Sequence, residues 1–434
     1  MKKITAIMMT ILLLAAALTA CQTTDTAEPA SADTSVQATQ APTEAIKETT
    51  AVQDTAAKLT QSSEVITTAN VTSNGAIDAT DLFSDRDLRQ TADLSEAEYL
   101  TLTDNNTVTI DKEGVYVLSG SAKNASVIVD AGDNDKVQLV LNGVTVTNDS
   151  TPAIYVKNAD KVFVTTVENT ENSLTVSGAF TADGDTNTDA VIFSKDDIVF
   201  NGLGTLNIES SDNGISGKDD IKITGGTINN TSASDAIEAH ESIAVADGNI
   251  TIHTDNDGLH AENDEDNSTG YIYICGGSFN ITSVDKGIRG TTIVQIDGGS
   301  ITADSVECIE GTVVQINGGT IKLASSDDGI NGSAKSTAYN AKVEINGGDI
   351  TIDMAQGDTD GIDSNGDLIV NGGTLNVNAQ SPFDYDGTGQ INGGTVYVNG
   401  SQVTELTNQF AGGGPGGMGG HGGMNGGMGG PGGF

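Results

Sequence analysis

VQIDGGSIT at residues 294–302 is followed by VQINGGTIK at 314–322, the same phrase written twice in succession. Working outward, IKITGGTIN starts at Ile221, VEINGGDIT at Val343, LIVNGGTLNV at Leu368 and QINGGTVYV at Gln390. The last Gly of each copy falls at Gly204, Gly226, Gly248, Gly277, Gly299, Gly319, Gly348, Gly373 and Gly394, in steps of 22, 22, 29, 22, 20, 29, 25 and 21 residues. Self-similarity at that period marks a stacked-repeat architecture. Within one copy Val314 and Ile316, then Ile321 and Leu323, alternate with polar neighbours, the strand period with one face buried. β-Branched residues dominate, so helical repeats fit poorly. Two strands joined by a Gly bend, followed by a third short strand, make one coil of a parallel β-helix. Nine such coils at about 4.8 Å each predict a stack of roughly 40 Å.

The residue before the Gly pair is often Asn or Asp, as at Asn201, Asp297, Asn317, Asn346, Asn371 and Asn392. These types tolerate the left-handed backbone of a sharp bend, and stacked coil on coil they can form an amide ladder. A second column runs through the other half of each coil: Asp189, Asn213, Asp235, Asp257, Lys286, Glu307, Asp328 and Asp360, most of them ahead of a Gly-Ile or Ala-Ile pair. Asp212, Asp255, Asp285, Asp304, Asp327, Asp358 and Asp363 thicken it, and Asp196, Asp197, Asp219, Asp220, Glu241, Glu262 and Asp264 follow the third strand. Like charges at strand spacing repel, and bound cations relieve that repulsion.

At the start of the chain, Lys2 and Lys3 precede an apolar run ending in Leu18-Thr19-Ala20-Cys21. That pattern is an export signal and resembles a bacterial lipobox, with Cys21 as the lipidated residue. Residues 22–75 are rich in Thr, Ala, Ser and Glu and predict a disordered tether. The segment from Asp78 to Leu100 reads as a polar or helical lead-in that caps the first coil. Strands are expected at Thr107 to Ile110, Gly114 to Leu118, Ser126 to Val129, Val137 to Leu141, Ala153 to Val156, Val162 to Val164 and Leu174 to Val176, so one domain spans 76–410. The Gly/Met-rich residues 411–434 predict a disordered tail.

The chain carries 60 acidic and 19 basic residues, a net charge of −41 that becomes −43 once Lys2 and Lys3 leave with the signal. Nucleic acid is excluded as a partner, because phosphates demand a basic surface. Cys275 and Cys308 occupy non-equivalent positions in successive coils and read as free thiols. His240, His253, His260 and His421 show no zinc-ligand spacing with Cys. Calcium suits the column better, since it takes six to eight oxygen ligands from carboxylates, amides and backbone.

The runs VQLVLNGVTV, AIYVKNADKVFVT, AVIFSKDDIVFNGLGTLNI and DNDGLHAENDEDNSTGYIYI, together with the Gly-pair coils, resemble the bacterial surface family of carbohydrate-binding domain-containing proteins. That family includes a clostridial pectin-binding right-handed β-helix. The resemblance covers Asp78 to Val398. It implies an all-β, right-handed parallel β-helix of pectate-lyase-like type that binds calcium and polygalacturonate. It assigns Asp189, Asp257, Asp328, Asp360, Glu262 and Asp264 to calcium, and the same column extends the candidate metal set to Asp212, Asp235, Asp285 and Asp327. Lys286, Glu307 with Cys308, and Phe383 with Asp384 depart from the pattern.

Lys286 and Arg289 are the cationic interruption of the column and the candidate ligand-binding pair. In a calcium-dependent lyase one of them would remove the proton beside a uronate carboxylate. Charge pairing with Asp285, Glu307 and Glu310 is the commoner use of such residues and is the preferred reading. The expectation is therefore an extracellular, lipid-anchored monomer that binds an acidic polysaccharide through calcium. A polysaccharide lyase and a structural or adhesive rod are the alternatives.

Overall fold

A computed structural model describes residues 75–408 except 264 and 358. Cys21, residues 22–74 of the expected tether, Asp264, Asp358 and the tail 411–434 lie outside the described residues. Among the described residues the regular elements are all strands, and no helix is long and apolar enough to cross a membrane.

Each coil contributes one strand to each of three parallel sheets. One coil runs through Ile221–Ile223 in the first sheet, Thr227–Ser232 in the second and Ile237–Ala239 in the third. Every strand pairs with its counterpart one coil on, in register. In the first sheet Ile198, Ile221, Ile243, Ile272, Val294, Val314, Val343 and Leu368 stack in one row. In the third sheet Ile154, Ile192, Ile215, Ile237, Leu259, Ile288, Ile309, Ile330, Ile362 and Phe383 do the same. These rows point inward and are essentially fully buried. Each such side chain contributes roughly 1.5–3 kcal/mol, and a one-residue slip would turn a whole row outward. The expected early strands are all present, from Thr107–Ile110 to Glu171–Val176.

The bend between the first and second sheets differs from expectation in one respect. The second Gly of the pair takes the positive φ, 95° at Gly319 and 77° at Gly373, whereas the described non-glycine residues at positive φ are Asn105, Asn124, Asn169 and Asn399. The preceding Asn is therefore free of backbone duty and builds the ladder. Asn317 Nδ2 donates to Asp297 Oδ1 at 2.6 Å, Asn346 to Asn317 at 2.8 Å, Asn371 to Asn346 at 2.7 Å and Asn392 to Asn371 at 2.9 Å. Asn201 stands apart, donating to the Asp87 carbonyl at 3.3 Å.

Residues 75–93 do not form a helix or close the first coil. They run as a strap along the outer face of the first sheet, descending it as the chain advances. Ile77 N donates to Gln295 Oε1 at 2.6 Å, Lys222 Nζ to the Leu82 carbonyl at 2.8 Å, and Gly202 N to Gln90 Oε1 at 2.9 Å. Ile77, Leu82 and Phe83 pack on Tyr271, Tyr273, Ile293 and Val313, and the Arg86 guanidinium lies 4.3 Å from the Phe163 ring centre. Only Glu98–Thr101 joins the first coil, pairing with Tyr116–Ser119. At the far end Ser401–Val403 turns back antiparallel on Thr395–Val398 through Asn399-Gly400, both at positive φ. This Asn-Gly hairpin replaces an open parallel edge with a short covered one.

Candidate functional site

The third sheet carries the candidate residues, because its strands are short and follow directly on acidic turns. Register stacks Asn213, Asp235, Asp257, Lys286, Glu307, Asp328, Asp360 and Ser381 in one column, as their neighbouring Ile positions require. Asp189 falls one residue out of that column, since Asn213 pairs with Ala190. Asp189 Oδ2 instead accepts from Asn187 at 2.6 Å. Asp212, Asp285 and Asp327 sit in the turn just before the column. The Asp212 main-chain carbonyl accepts from Ser234 N at 3.3 Å, and the Asp285 carboxylate accepts from Lys286 Nζ at 2.6 Å.

Three residues on from this column is a second one that went unread in the sequence: Ser216, Glu238, His260, Arg289, Glu310, Asn331, Asp363 and Asp384. The signal was available as the residue following each Ile of the repeated Gly-Ile or Ala-Ile pair. His260 Nδ1 lies 2.7 Å from Asp235 Oδ2 and its Nε2 lies 2.8 Å from Glu262 Oε2. Arg289 reaches Asp257 Oδ2 at 3.3 Å, Glu262 Oε2 at 2.9 Å and Glu310 Oε2 at 3.6 Å. Lys335 approaches Glu310 Oε1 at 3.3 Å. Asp257, at 0% exposure, and Glu310, at 2%, are ionisable groups that only such pairing makes tolerable.

The titration behaviour follows from this geometry. Burial works against a charged His260, but the bonds to Asp235 and Glu262 outweigh it and lift its pKa to about 9. Burial pushes Asp235 up, yet the His260 bond holds it below the usual carboxylate range. Asp257 is raised by burial and by Asp235. Lys286 pairs with Asp285 at 2.6 Å and Glu307 at 3.7 Å, so both candidate cations neutralise the carboxylates around them. Arg289 is committed to three carboxylates and is not poised as a base.

Towards the C-terminal coils the compensation ends. Asp328 is lifted to about 8 by burial and then by Asp363, Asp327, Glu307 and Asp360. Asp363 is lifted to about 6 by burial, Asp384 and Asp360. Among the described residues three groups bring ligand atoms within 4.8 Å of one another: Asp235, Asp257 and His260; Asp197, Asp219 and Asp220; and Glu307, Asp327 and Asp328. The first is filled by its own ion pairs. In the third, Asn331 donates to Glu307 Oε2 at 3.2 Å and to Asp328 Oδ2 at 3.1 Å, while its buried Oδ1 has no hydrogen-bond partner. Three converging carboxylates with an amide bonded to two of them form an oxygen-rich donor set that fits calcium. Cys275 and Cys308 are not in a disulfide, as expected.

A three-sheet solenoid with a charged ladder along one sheet defines a repeat protein of stacked coils. The family model of carbohydrate-binding domain-containing proteins matches residues 104–358 and, in a second match, 306–405, and this chain belongs to that family. A carbohydrate-binding domain-containing protein of Acetivibrio thermocellus is 43% identical over 197 residues, 45% of this chain and 69% of that protein. A solved polysaccharide lyase-like protein from C. thermocellum, studied as a gadolinium derivative, is 27% identical with a TM-score of 0.44, covering 59% of this chain and 97% of that one.

Proposed function

We propose that this carbohydrate-binding protein holds calcium on the C-terminal coils of the third sheet and binds an acidic, polygalacturonate-like polysaccharide through it. The observation that carries this reading is the Glu307, Asp327 and Asp328 group, with Asn331 bonded through Nδ2 to two of them and its buried Oδ1 without a hydrogen-bond partner. Asp360 and Asp363 extend the set on the next coil. Calcium there supplies charge neutralisation and open coordination positions for uronate oxygens. A chain of net charge −41 needs such a bridge to hold a polyanion. Arg289 and Lys286, both on the coil two before Asp328, offset part of the acidic charge there, and many weak contacts along the stack sum to useful avidity. Of the calcium candidates, Asp327, Asp328 and Asp360 retain that role, whereas Asp235, Asp257 and Glu262 serve the His260 and Arg289 ion pairs. Residues 1–21 place the protein at the cell surface with Cys21 lipidated, which intact-mass measurement of the membrane fraction tests.

The deciding experiment exposes the full chain to immobilised polygalacturonate with calcium and with chelator, following retention and unsaturated product together. Retention in calcium alone, without product, is expected. Retention that chelator leaves unchanged overturns the calcium bridge, and accumulating product reassigns the protein as a lyase.

A further inference from the structure

The outward column of the third sheet continues beyond Ser216 to Phe193, Tyr155 and Ile128, and there its character changes from charged to apolar. Over this part lies a groove of about 510 Å³. Its size falls within the roughly 300–1,000 Å³ typical of small-ligand sites. A long connection builds one wall. Most links between the second and third sheets are short, but residues 177–189 intervene between Glu171–Val176 and Ala190–Ser194. That connection is pinned rather than loose: Gly178 N donates to the Asp149 carbonyl at 2.9 Å, Thr181 N to the Ser150 carbonyl at 2.8 Å, and Thr188 Oγ1 to the Thr181 carbonyl at 2.9 Å.

Inside the groove, Ile128 and Pro152 supply an apolar floor beside Tyr155, whose ring lies under the Lys157 ammonium at 5.0 Å, and Asp149, Thr151 and Thr181 are among the polar groups of the lining. Asp183 is fixed in place by Lys157 at 2.7 Å and the Tyr155 hydroxyl at 3.2 Å, while Phe193 meets the Tyr155 ring edge-on at 5.7 Å. The lining thus holds two carboxylates, Asp149 and Asp183, and one ammonium, Lys157, that is already paired with Asp183. A polyanion is repelled here, whereas vicinal hydroxyls can donate to the carboxylates while a ring face lies on the floor.

We infer that this groove is a second saccharide subsite, one that takes uncharged pyranose units and works without calcium. It does not rest on the calcium reading, because none of its residues belongs to the C-terminal carboxylate set. The test uses the full chain with a panel of neutral hexasaccharides of glucose, xylose, mannose and galactose, and an oligogalacturonate hexamer, each titrated in calcium and in chelator. At least one neutral hexamer should bind with an affinity that chelator changes by less than twofold. Thr151→Trp and Thr181→Trp, two exposed positions in the lining of the groove, should each weaken it at least tenfold while oligogalacturonate binding is retained. Unchanged melting temperatures keep these variants interpretable. Failure of every neutral hexamer to bind, or full affinity in both Trp variants, overturns the subsite, and neither result bears on oligogalacturonate binding in calcium.

Discussion

Replacing Asp328 by Asn removes the least comfortable carboxylate of the ladder while keeping its shape. Asp328 titrates at about 8 in the folded protein against an ordinary 3.8, chiefly because it is buried and then because Asp363, Asp327, Glu307 and Asp360 surround it. Four pH units at roughly 1.4 kcal/mol each set a ceiling of about 6 kcal/mol. Solvent reaches the outer face of the ladder, so screening reduces the working figure to about 2 kcal/mol. The sign is fixed by linkage: the folded state holds a proton that the unfolded state releases between about pH 4 and pH 8. In chelator the wild type should therefore lose stability as pH rises through that window and level off above it. Asp328→Asn should lack most of this slope, matching the wild type near pH 4 and exceeding it by about 2 kcal/mol at pH 9, or roughly 3–5 °C in Tm. Calcium at pH 8 should stabilise the wild type and leave the variant nearly unmoved. Scanning calorimetry across pH, with calcium and with chelator, reads all three. Parallel pH curves for the two proteins, or equal protection by calcium, would refute both the strained carboxylate and its role as a ligand.

His260→Gln removes the cation clamped between Asp235 and Glu262 and should cost about 3 kcal/mol at pH 6 by stranding buried carboxylates. Because His260 titrates at about 9 rather than its ordinary 6.5, the wild type should lose that stabilisation between about pH 6.5 and 9, and the variant should show no such loss in urea titrations over the same range. Gly373→Ala would place a Cβ 2.6 Å from the Gly348 carbonyl oxygen at a φ of 77°, whereas at Gly143, with a φ of 73°, nothing lies within 4 Å. Gly143→Ala should cost about 1 kcal/mol from backbone strain and Gly373→Ala clearly more; equal losses in thermal melts would show that coil stacking at the Gly pair is loose.

The solenoid was legible because its signals are local and repeated. The alternation around Val314 and Ile321 fixes which side chains face inward, and the Gly pair fixes where the bend falls. The Asn ladder was legible for the same reason, although the sequence assigned to Asn the left-handed backbone that Gly319 and its equivalents adopt. The acidic column was read correctly from Asn213 to Asp360 and missed by one residue at Asp189, where the long connection 177–189 breaks the spacing. The His260 and Arg289 network was legible only in part. Glu262 and Arg289 were singled out, but pairing across four consecutive coils depends on side-chain length and direction, which spacing does not encode. The strap was not legible at all, because its partners lie more than 100 residues away and its own pattern is only that of a polar loop.

The strap also sets an order on folding. Ile77 leaves the ribosome early, yet its partner Gln295 follows 218 residues later. Coils can nucleate and propagate on nearest-neighbour contacts alone, but closing so distant a contact carries an entropic penalty that is offset only once the intervening coils exist. The earliest-made described segment is thus the last to dock, and until it does Tyr271, Tyr273 and Val313 stay uncovered on the growing stack. Docking requires coils in register from Phe163 to Val313, so the strap acts as a gauge of coil number: a nascent chain that skipped or slipped a coil would offer Lys222 and Gln295 at the wrong separation and leave that face open to chaperones.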